Sequence, residues 1–152
     1  MAVSNTTKIV VNVASSNSTS SKINDIVNVG GVAGFAKNNG NNVDISKAYN
    51  AGKIQVFVNT SNASATVVEK YNKNISTFVG GIVGTATGGK YAYLYSLADV
   101  SVKAIYRYAI GGIFGRSVTN TTQKELNLTR FVSFGDIYVE DSKPSKPKSG
   151  YD

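Results

Sequence analysis

One short phrase occurs three times in this chain, and it constrains the fold more than any other feature. The copies span Val29–Gly34, Val79–Gly84 and Ile110–Gly115, and each reads aliphatic-Gly-Gly-aliphatic-apolar-Gly. Such repetition indicates a repeat architecture, in which each unit buries its apolar face against the next. The glycines of the phrase are therefore a predicted structural motif, formed by Gly30, Gly31, Gly34, Gly80, Gly81, Gly84, Gly111, Gly112 and Gly115.

A second block follows each phrase. It spans Ile45–Val56, Tyr91–Val102 and Leu128–Val139, and the three blocks align without a gap. Each has a cation or an aromatic residue at its third position, an apolar residue at its fourth, and a closing x-[Ile/Val]-x-Val. The linkers between blocks are polar and differ in length, as expected for loops between stacked units. A partial copy, Lys8–Val11, resembles Lys53–Val56, so we expect the chain to begin partway through a unit.

Apolar residues recur with period two, as at Ile54, Val56 and Val58, which is strand periodicity. Glycine within these apolar runs disfavours helix, and a Gly-Gly pair in a strand serves a close backbone approach or a bend at a corner. The sequence predicts an all-β fold, a parallel β-solenoid (β-helix) of about three to four rungs with the Gly-Gly motifs stacked in register. The alternative is an antiparallel β-sandwich with three chance Gly-Gly turns.

Stacking in register makes specific predictions about the core and the domain. Equivalent residues should form inward ladders with strands about 4.8 Å apart. The predicted ladders are Val32, Ile82 and Ile113; Ala48, Leu94 and Phe131; and Ile54, Val100 and Ile137. We expect one solenoid domain over residues 1–140. Residues 141–152 carry both prolines and several lysines and are expected to form a flexible basic tail or linker.

These residues resemble the GLUG-type repeat of bacterial and protist surface proteins. The family phrase, roughly G-G-L-V-G followed by N-C-Y-x-x-G-x-V, is matched by Gly31–Gly34, by Ala48–Tyr49, and by Gly52 with Ile54. The resemblance spans residues 29–139. It implies an adhesin-like or stalk-like extracellular β-helix, and it carries over no catalytic residues.

The chain departs from that family pattern at two places. The usual cysteine position holds Ala48, Leu94 and Phe131, and the second copy has Ala98 in place of glycine. The chain contains no cysteine, so it has no disulfide and no thiolate metal site.

Enzymatic activity is not expected. The chain contains no histidine, which removes the commonest general base and metal ligand, and no metal or other cofactor is predicted. Some β-helix enzymes cleave polysaccharides with aspartates, and Asp99 and Asp136 occupy equivalent repeat positions, so such an enzyme is a remote alternative. Because Lys53 and Lys8 occupy the same position in the other copies, a ladder of Lys-Asp ion pairs is the simpler interpretation.

The net charge of +7 does not predict a nucleic-acid surface, because the cations of the body are scattered rather than clustered. The candidate ligand surface is an aromatic strip with one cation: Tyr91, Tyr93, Tyr95 and Arg130. The simpler interpretation of that strip is a cross-strand ladder that stiffens a sheet. No apolar run reaches the length of a membrane-spanning helix.

Asn-x-Ser/Thr sequons are frequent, and they mark candidate N-glycosylation sites at Asn5, Asn17, Asn59, Asn62, Asn74, Asn120 and Asn127. Loops rich in Asn and Thr also generate sequons freely, so both interpretations stay open.

We predict a non-catalytic extracellular or cell-surface module with a structural or adhesive role. Its expected partner is a glycan or protein on a cell surface, contacted through polar loops or the aromatic strip. The alternative is self-association: an uncapped end of a sheet exposes unpaired strand groups, and head-to-tail contacts would build a filament. The long polar excursion and the charged tail could instead cap the ends and keep the protein monomeric.

Overall fold

The computed structural model describes residues 3–14, 26–37, 43–59, 76–104, 107–119 and 125–141, and all regular elements within them are β-strands. In these ranges no helix is long and apolar enough to cross a membrane. The predicted tail lies outside the described residues except for Asp141. In chain order the strands are β1 (Val3–Asn5), β2 (Ile9–Ala14), β3 (Ile26–Gly30), β4 (Ala33–Lys37), β5 (Asp44–Ser46), β6 (Ala48–Asn50), β7 (Ile54–Asn59), β8 (Ser76–Gly80), β9 (Val83–Thr87), β10 (Gly89–Ser96), β11 (Val100–Ala104), β12 (Arg107–Gly111), β13 (Phe114–Val118), β14 (Leu126–Ser133) and β15 (Ile137–Asp141).

The strands form four sheets. Sheet A has the order β1-β6-β10-β14, with β5 beside β10, and sheet B has the order β2-β7-β11-β15. Sheet C has the order β3-β8-β12, and sheet D has the order β4-β9-β13. The chain runs through sheets A, B, C and D in turn and then returns to sheet A. Strands that are neighbours in one sheet therefore come from successive copies of the repeat.

All strand pairings among the described residues are parallel and in register with the sequence alignment. Gly80 pairs with Gly30 on one side and with Gly111 on the other. Ile54 pairs with Ile9 and with Val100 in sheet B. The prediction of an all-β fold with parallel, aligned copies is confirmed, and the antiparallel sandwich is wrong because no described pairing is antiparallel.

The interior is divided into two hydrophobic clusters. One lies between sheets B and C and contains Val29, Ile54, Val56, Val58, Val79, Val100, Val102 and Ala104. The other lies between sheets A and D and at the corner between C and D, and contains Ala36, Ala48, Ile82, Val83, Ala86, Tyr91, Leu94 and Ile113. Val and Ile dominate the first cluster, whereas Ala and Tyr make up half of the second, and both are filled by the alternate side chains that the strands present to the interior.

The Gly-Gly corner between sheets C and D separates the two clusters. A Cβ atom on Gly31 would collide with the side-chain amide of Asn50. A Cβ atom on Gly81 would collide with the carbonyl oxygen of Gly112 and with the hydroxyl of Ser96. The corner therefore touches the turn between sheets A and B, which leaves no room for a side chain. This is the close backbone approach that the sequence predicted for the glycine pair.

The predicted ladder residues Leu94 with Phe131, and Ile54 with Val100 and Ile137, are paired in register, but their burial falls at one end of the stack. Fully buried members are Ala48, Ile54, Ile82, Leu94 and Val100; Ile113 is also buried, and Val32 is partly buried. Phe131 and Ile137 are instead 46% and 47% exposed. They lie on β14 and β15, which are the outermost described strands of sheets A and B, so a single described strand packs beside each of them.

Candidate ligand-binding surface

The third position of the repeated block adopts a left-handed backbone conformation in all three copies. The φ angles are 55° at Lys47, 56° at Tyr93 and 54° at Arg130. Few residues other than glycine have positive φ, and Asn, Asp and His are the usual exceptions. Its recurrence at one repeat position shows that the stacked structure imposes it. In the first copy it divides β5 from β6, and in the later copies it leaves Tyr93 and Arg130 outside the ladder of paired residues.

The left-handed residue changes which side chains face outward. In a regular strand Tyr91, Tyr93 and Tyr95 would share one face. Here Ala92 and Tyr93 both avoid the interior, Leu94 points inward, and the alternation continues from there. Ala92 and Leu94 stay paired with Thr129 and Phe131, so no residue is added relative to the neighbouring strand, and the shared left-handed residue shifts the alternation by one position.

The predicted strip is consequently wrong at Tyr91, because its side chain is completely buried. The Tyr91 ring packs edge-on against Phe114, with ring centroids 5.4 Å apart. Its hydroxyl has no hydrogen-bond partner among the described residues, and burial raises the pKa of Tyr91 above 10.0. Tyr93 and Tyr95, by contrast, are 50% and 38% exposed, as a ligand surface requires.

The outer side of sheet A carries two contacting groups, Tyr49 with Tyr95 and the adjacent Phe134, and Tyr93 with Arg130, which are here together called the aromatic row. The Tyr49 and Tyr95 rings are stacked, with centroids 5.5 Å apart and planes inclined by 16°. Phe134 meets Tyr95 at 6.1 Å with an interplanar angle of 65°. Tyr49 and Tyr95 also pair through the backbone in the parallel ladder, so the rings are held by the strands beneath them.

Arg130 provides the cation of the aromatic row. Its guanidinium carbon lies 5.0 Å from the centre of the Tyr93 ring, and Nη1 donates a hydrogen bond to the Tyr93 hydroxyl. A guanidinium over an aromatic face is held by the electrostatic field of the ring. The two residues occupy the same repeat position on adjacent strands, so their left-handed backbones direct both side chains to the same place. Among the described residues Arg130 has no other hydrogen bond or ion pair, so its remaining donors can face a ligand.

Asp99 and Asp136, which occupy the same position of the repeat, do not form a pair of facing carboxylates. Asp99 instead contacts Lys53 on one side and the backbone of Asp136 on the other. Lys53 Nζ lies 3.1 Å from Asp99 Oδ2, and the backbone N–H of Asp136 donates to Asp99 Oδ1 at 3.3 Å. The Lys53 hydrogen bond, followed by the Asp136 N–H, lowers the pKa of Asp99 below 3.8. The predicted Lys-Asp pair is confirmed between Lys53 and Asp99. Within the described ranges no cluster of three or more His, Cys, Asp or Glu residues could hold a metal ion.

Two candidate glycosylation residues, Asn5 and Asn127, have described side chains, and their surroundings differ. The Asn5 amide donates to Asn50 Oδ1 at 3.0 Å, and its oxygen accepts from the Thr7 hydroxyl at 2.7 Å. Asn127 is exposed on β14. Asn59 is described through its backbone alone, and the remaining candidate positions lie outside the described residues: Asn17, Asn62, Asn74 and Asn120.

A further concave surface, which the sequence did not indicate, lies on the outer side of the Gly-Gly corner. It is here called the crease groove and is defined by Ile26, Asn28, Phe35, Phe78, Thr85 and Arg116. These residues come from sheets C and D of all three copies. The repeated phrase marks the corner, but the outward residues that line the groove differ from copy to copy.

No protein-family model, curated protein or solved structure matches this chain. The resemblance to GLUG-type repeats therefore stays a prediction.

Proposed function

We propose that this chain is a parallel β-solenoid of the GLUG-like kind that works outside the cell as a non-catalytic adhesive module, and that its aromatic row binds glycans. The observation that carries the proposal is the pair of stacked, outward rings of Tyr49 and Tyr95, flanked by Arg130 on Tyr93.

The solenoid interpretation is supported by the order in which the chain visits its sheets. Each of the later copies passes through C, D, A and B once, and each strand adds in parallel to the equivalent strand of the preceding copy. Repetition of this path stacks equivalent residues at the spacing of neighbouring strands. Such a scaffold keeps a row of side chains on one face in a fixed arrangement.

Fixed, exposed aromatic rings suit sugar recognition. A tyrosine offers a flat apolar ring and a polar tip on the same side chain, so it can contact the C–H face of a sugar and hydrogen-bond its hydroxyls. Because the rings of Tyr49 and Tyr95 already stack on one another, little conformational freedom is lost when a ligand binds. Arg130 adds charged donors at the edge of the same surface. The lightly charged, Asn/Ser/Thr-rich sequence is in keeping with an extracellular protein.

Self-assembly is the second candidate, and the exposed apolar side chains of β14 and β15 favour it. Those more than 40% exposed are Phe131, Val132, Ile137 and Tyr138. A second copy could pair its β1 and β2 with these strands. Sheets A and B each have four successive described strands, β1-β6-β10-β14 and β2-β7-β11-β15. Sheets C and D each have three, β3-β8-β12 and β4-β9-β13. An in-register stack of these described strands alone would lack one strand in C and D at each junction.

The test is a screen of the purified protein on a glycan array, followed by titration of the strongest ligand. Tyr95→Ala should weaken binding at least about tenfold, as for a central aromatic contact. Tyr108→Ala is the matched control, because Tyr108 is also 38% exposed but lies on sheet C. Binding unchanged in Tyr95→Ala, or no glycan bound at all, would overturn the proposal. Light scattering at several concentrations measures whether the protein self-assembles instead.

A further inference from the structure

The crease groove is a preformed concave site of about 280 Å³. It exists because glycine allows sheet D to approach the backbone of sheet C. A Cβ atom on Gly34 would lie 2.7 Å from the Asn28 carbonyl oxygen, and one on Gly84 would lie 2.6 Å from the Val29 nitrogen. Such distances are too short for any side chain. The two backbones therefore meet at the base of the groove, and the neighbouring outward side chains diverge to form its walls.

The groove combines apolar walls with fixed polar groups. Thr85, which is 4% exposed, donates its hydroxyl to Asn28 Oδ1 at 2.6 Å. This bond occupies the Asn28 oxygen and leaves its amide nitrogen as a donor. Phe35 is 53% exposed and Ile26 is 60% exposed, so about half of each of these large apolar side chains is left open by the described residues. Ligand sites are typically apolar clefts with a few polar groups that orient the ligand.

Arg116 is held in place at this site by an aromatic ring. Its guanidinium carbon lies 4.8 Å from the centre of the Phe78 ring. Stacking of this kind orients the planar guanidinium and leaves its edge donors available for a carboxylate. Neither of the two ion pairs found among the described residues involves Arg116, since these join Lys53 to Asp99 and Lys103 to Glu140.

Among the described strands of sheets C and D, the charged side chains all have one sign. The described strands of sheets C and D carry Lys37, Arg107 and Arg116 and contain no aspartate or glutamate. By the register of the strands, Arg107 lies on the same outer face as Ile26, and Lys37 lies on the same outer face as Phe35. A concave site lined by one sign of charge attracts ligands of the opposite sign.

We propose that the crease groove binds a single carboxylated sugar ring, such as a hexuronate residue of an acidic glycan. The Arg116 guanidinium pairs with the carboxylate, Phe35 and Phe78 contact the apolar face of the ring, and the Asn28 amide donates to a ring hydroxyl. The volume is close to the lower end of the range for ligand pockets, about 300 Å³, which suits one ring rather than an oligosaccharide. This site is separate from the aromatic row on sheet A and does not depend on it.

The experiment is an NMR titration of the full chain with glucuronate, glucose and acetate. Glucuronate should shift the amide signals of β3, β8, β9 and β13, and it should bind at least tenfold more tightly than either of the other two. Arg116→Gln should abolish that preference, and Phe78→Leu should weaken binding of glucuronate while keeping an apolar side chain at that position.

Lys90→Gln is the control, because it removes an exposed cation of sheet A that belongs to neither the groove nor the aromatic row, and it should leave glucuronate binding unchanged. If glucose binds as tightly as glucuronate, the groove does not select carboxylates and the proposal is wrong. Equal affinity of acetate and glucuronate would show that the ring is not recognised, and unchanged affinity in Arg116→Gln would place the anion elsewhere; either result overturns the proposal. Tyr95→Ala removes the glycan contact proposed for the aromatic row without touching the groove, so the two proposals can fail independently.

Discussion

Asn50 donates a hydrogen bond of 2.6 Å from its side-chain amide to the carbonyl oxygen of Gly81. This bond joins the turn between sheets A and B to the glycine corner between sheets C and D. Asn50 is completely buried, and its oxygen also accepts from the Gly52 backbone N–H at 2.9 Å. A polar side chain is tolerated between two apolar clusters because nearby backbone groups satisfy it.

Replacement of Asn50 by alanine should destabilise the protein by about 3 kcal/mol, because buried backbone groups lose their partners. Asn50→Ser is the matched control, since Ser96 occupies the equivalent position in the next copy and accepts from the Ala98 N–H at 3.3 Å. The serine variant should lose clearly less stability than the alanine variant. Urea denaturation measures both free energies of unfolding, and equal losses would show that the hydrogen bonds of Asn50 are unimportant.

Gly81→Ala should destabilise the protein by about 2–4 kcal/mol, because overpacking at a rigid contact forces backbone shifts. The new methyl group would meet the Gly112 carbonyl oxygen and the Ser96 hydroxyl. The strands cannot separate to admit it without breaking their parallel ladders. Thermal and urea unfolding measure the loss. Ser117→Ala, an exposed change on β13, should stay within about 0.5 kcal/mol of the wild type. A stable Gly81→Ala variant would contradict the tight contact at this corner.

Much of the fold could be predicted from the sequence because repetition reports spatial equivalence directly. Ile54 and Val100 hold the same place in the aligned blocks, and they are paired residues in sheet B. The glycine pair could likewise be interpreted as a close approach, since no other residue lacks a Cβ atom. Both inferences depend on patterns that the stacked backbone repeats in every copy.

The side-chain directions around Tyr93 could not be predicted. A left-handed residue is usually signalled by glycine or asparagine, but here the position holds Lys47, Tyr93 and Arg130. Strict alternation therefore placed Tyr91 on the surface with Tyr95, whereas the left-handed residue between them shifts the alternation and Tyr91 lies in the core. The local sequence does not contain the cause, because the stacking of neighbouring strands imposes the conformation.

The crease groove also could not be predicted from the sequence. Phe35, Thr85 and Arg116 occupy one register position on neighbouring strands of sheet D, yet they share no chemistry. An alignment of the copies treats such a position as variable. The groove becomes apparent when the strands are placed side by side, since Arg116 then lies over Phe78 from the preceding copy.

Tyr91→Phe should raise the stability of the protein by about 1 kcal/mol, because it removes a buried hydroxyl without a partner and keeps the ring. The edge-on contact with Phe114 is unaffected. Tyr108→Phe, at a half-exposed tyrosine, is the control and should be neutral. A loss of stability in Tyr91→Phe would indicate that the hydroxyl has a hydrogen-bond partner in solution.

Tyr91 also makes the free energy of unfolding depend on pH in the alkaline range. Because burial raises the pKa of Tyr91 in the folded state above 10.0, its contribution to stability is fully present below pH 10 and is lost as the pH rises through the folded value. Unfolding measured between pH 8 and pH 11 should therefore show a smaller alkaline loss in Tyr91→Phe than in the wild type.

Asp99→Asn should remove a stabilisation that depends on pH in the opposite sense. The Lys53 hydrogen bond and the Asp136 N–H lower the pKa of Asp99 in the folded state below 3.8, so this contribution is present above pH 3.8 and is lost as the pH falls through the folded value. The effect is modest because the ion pair is exposed to solvent. The difference in unfolding free energy between the wild type and Asp99→Asn should be larger at pH 7 than at pH 2. Asp44→Asn is the comparison at a carboxyl outside the two described ion pairs, and a difference that does not change with pH would contradict the ladder.

Leu94 and Phe131 are paired residues of one ladder, yet they are 1% and 46% exposed. Leu94→Ala should cost about 3 kcal/mol, as expected for a cavity in a packed core. Phe131→Ala should cost no more than about 1 kcal/mol of folding stability, because half of its side chain already meets solvent and its remaining ring contact, with Phe114, is edge-on at 6.2 Å. Urea denaturation at two protein concentrations tests this and also tests assembly. Phe131→Ala could instead lose as much unfolding free energy as Leu94→Ala, with a loss that grows with protein concentration. That result would show that another copy covers β14 in solution, and it would support the filament alternative.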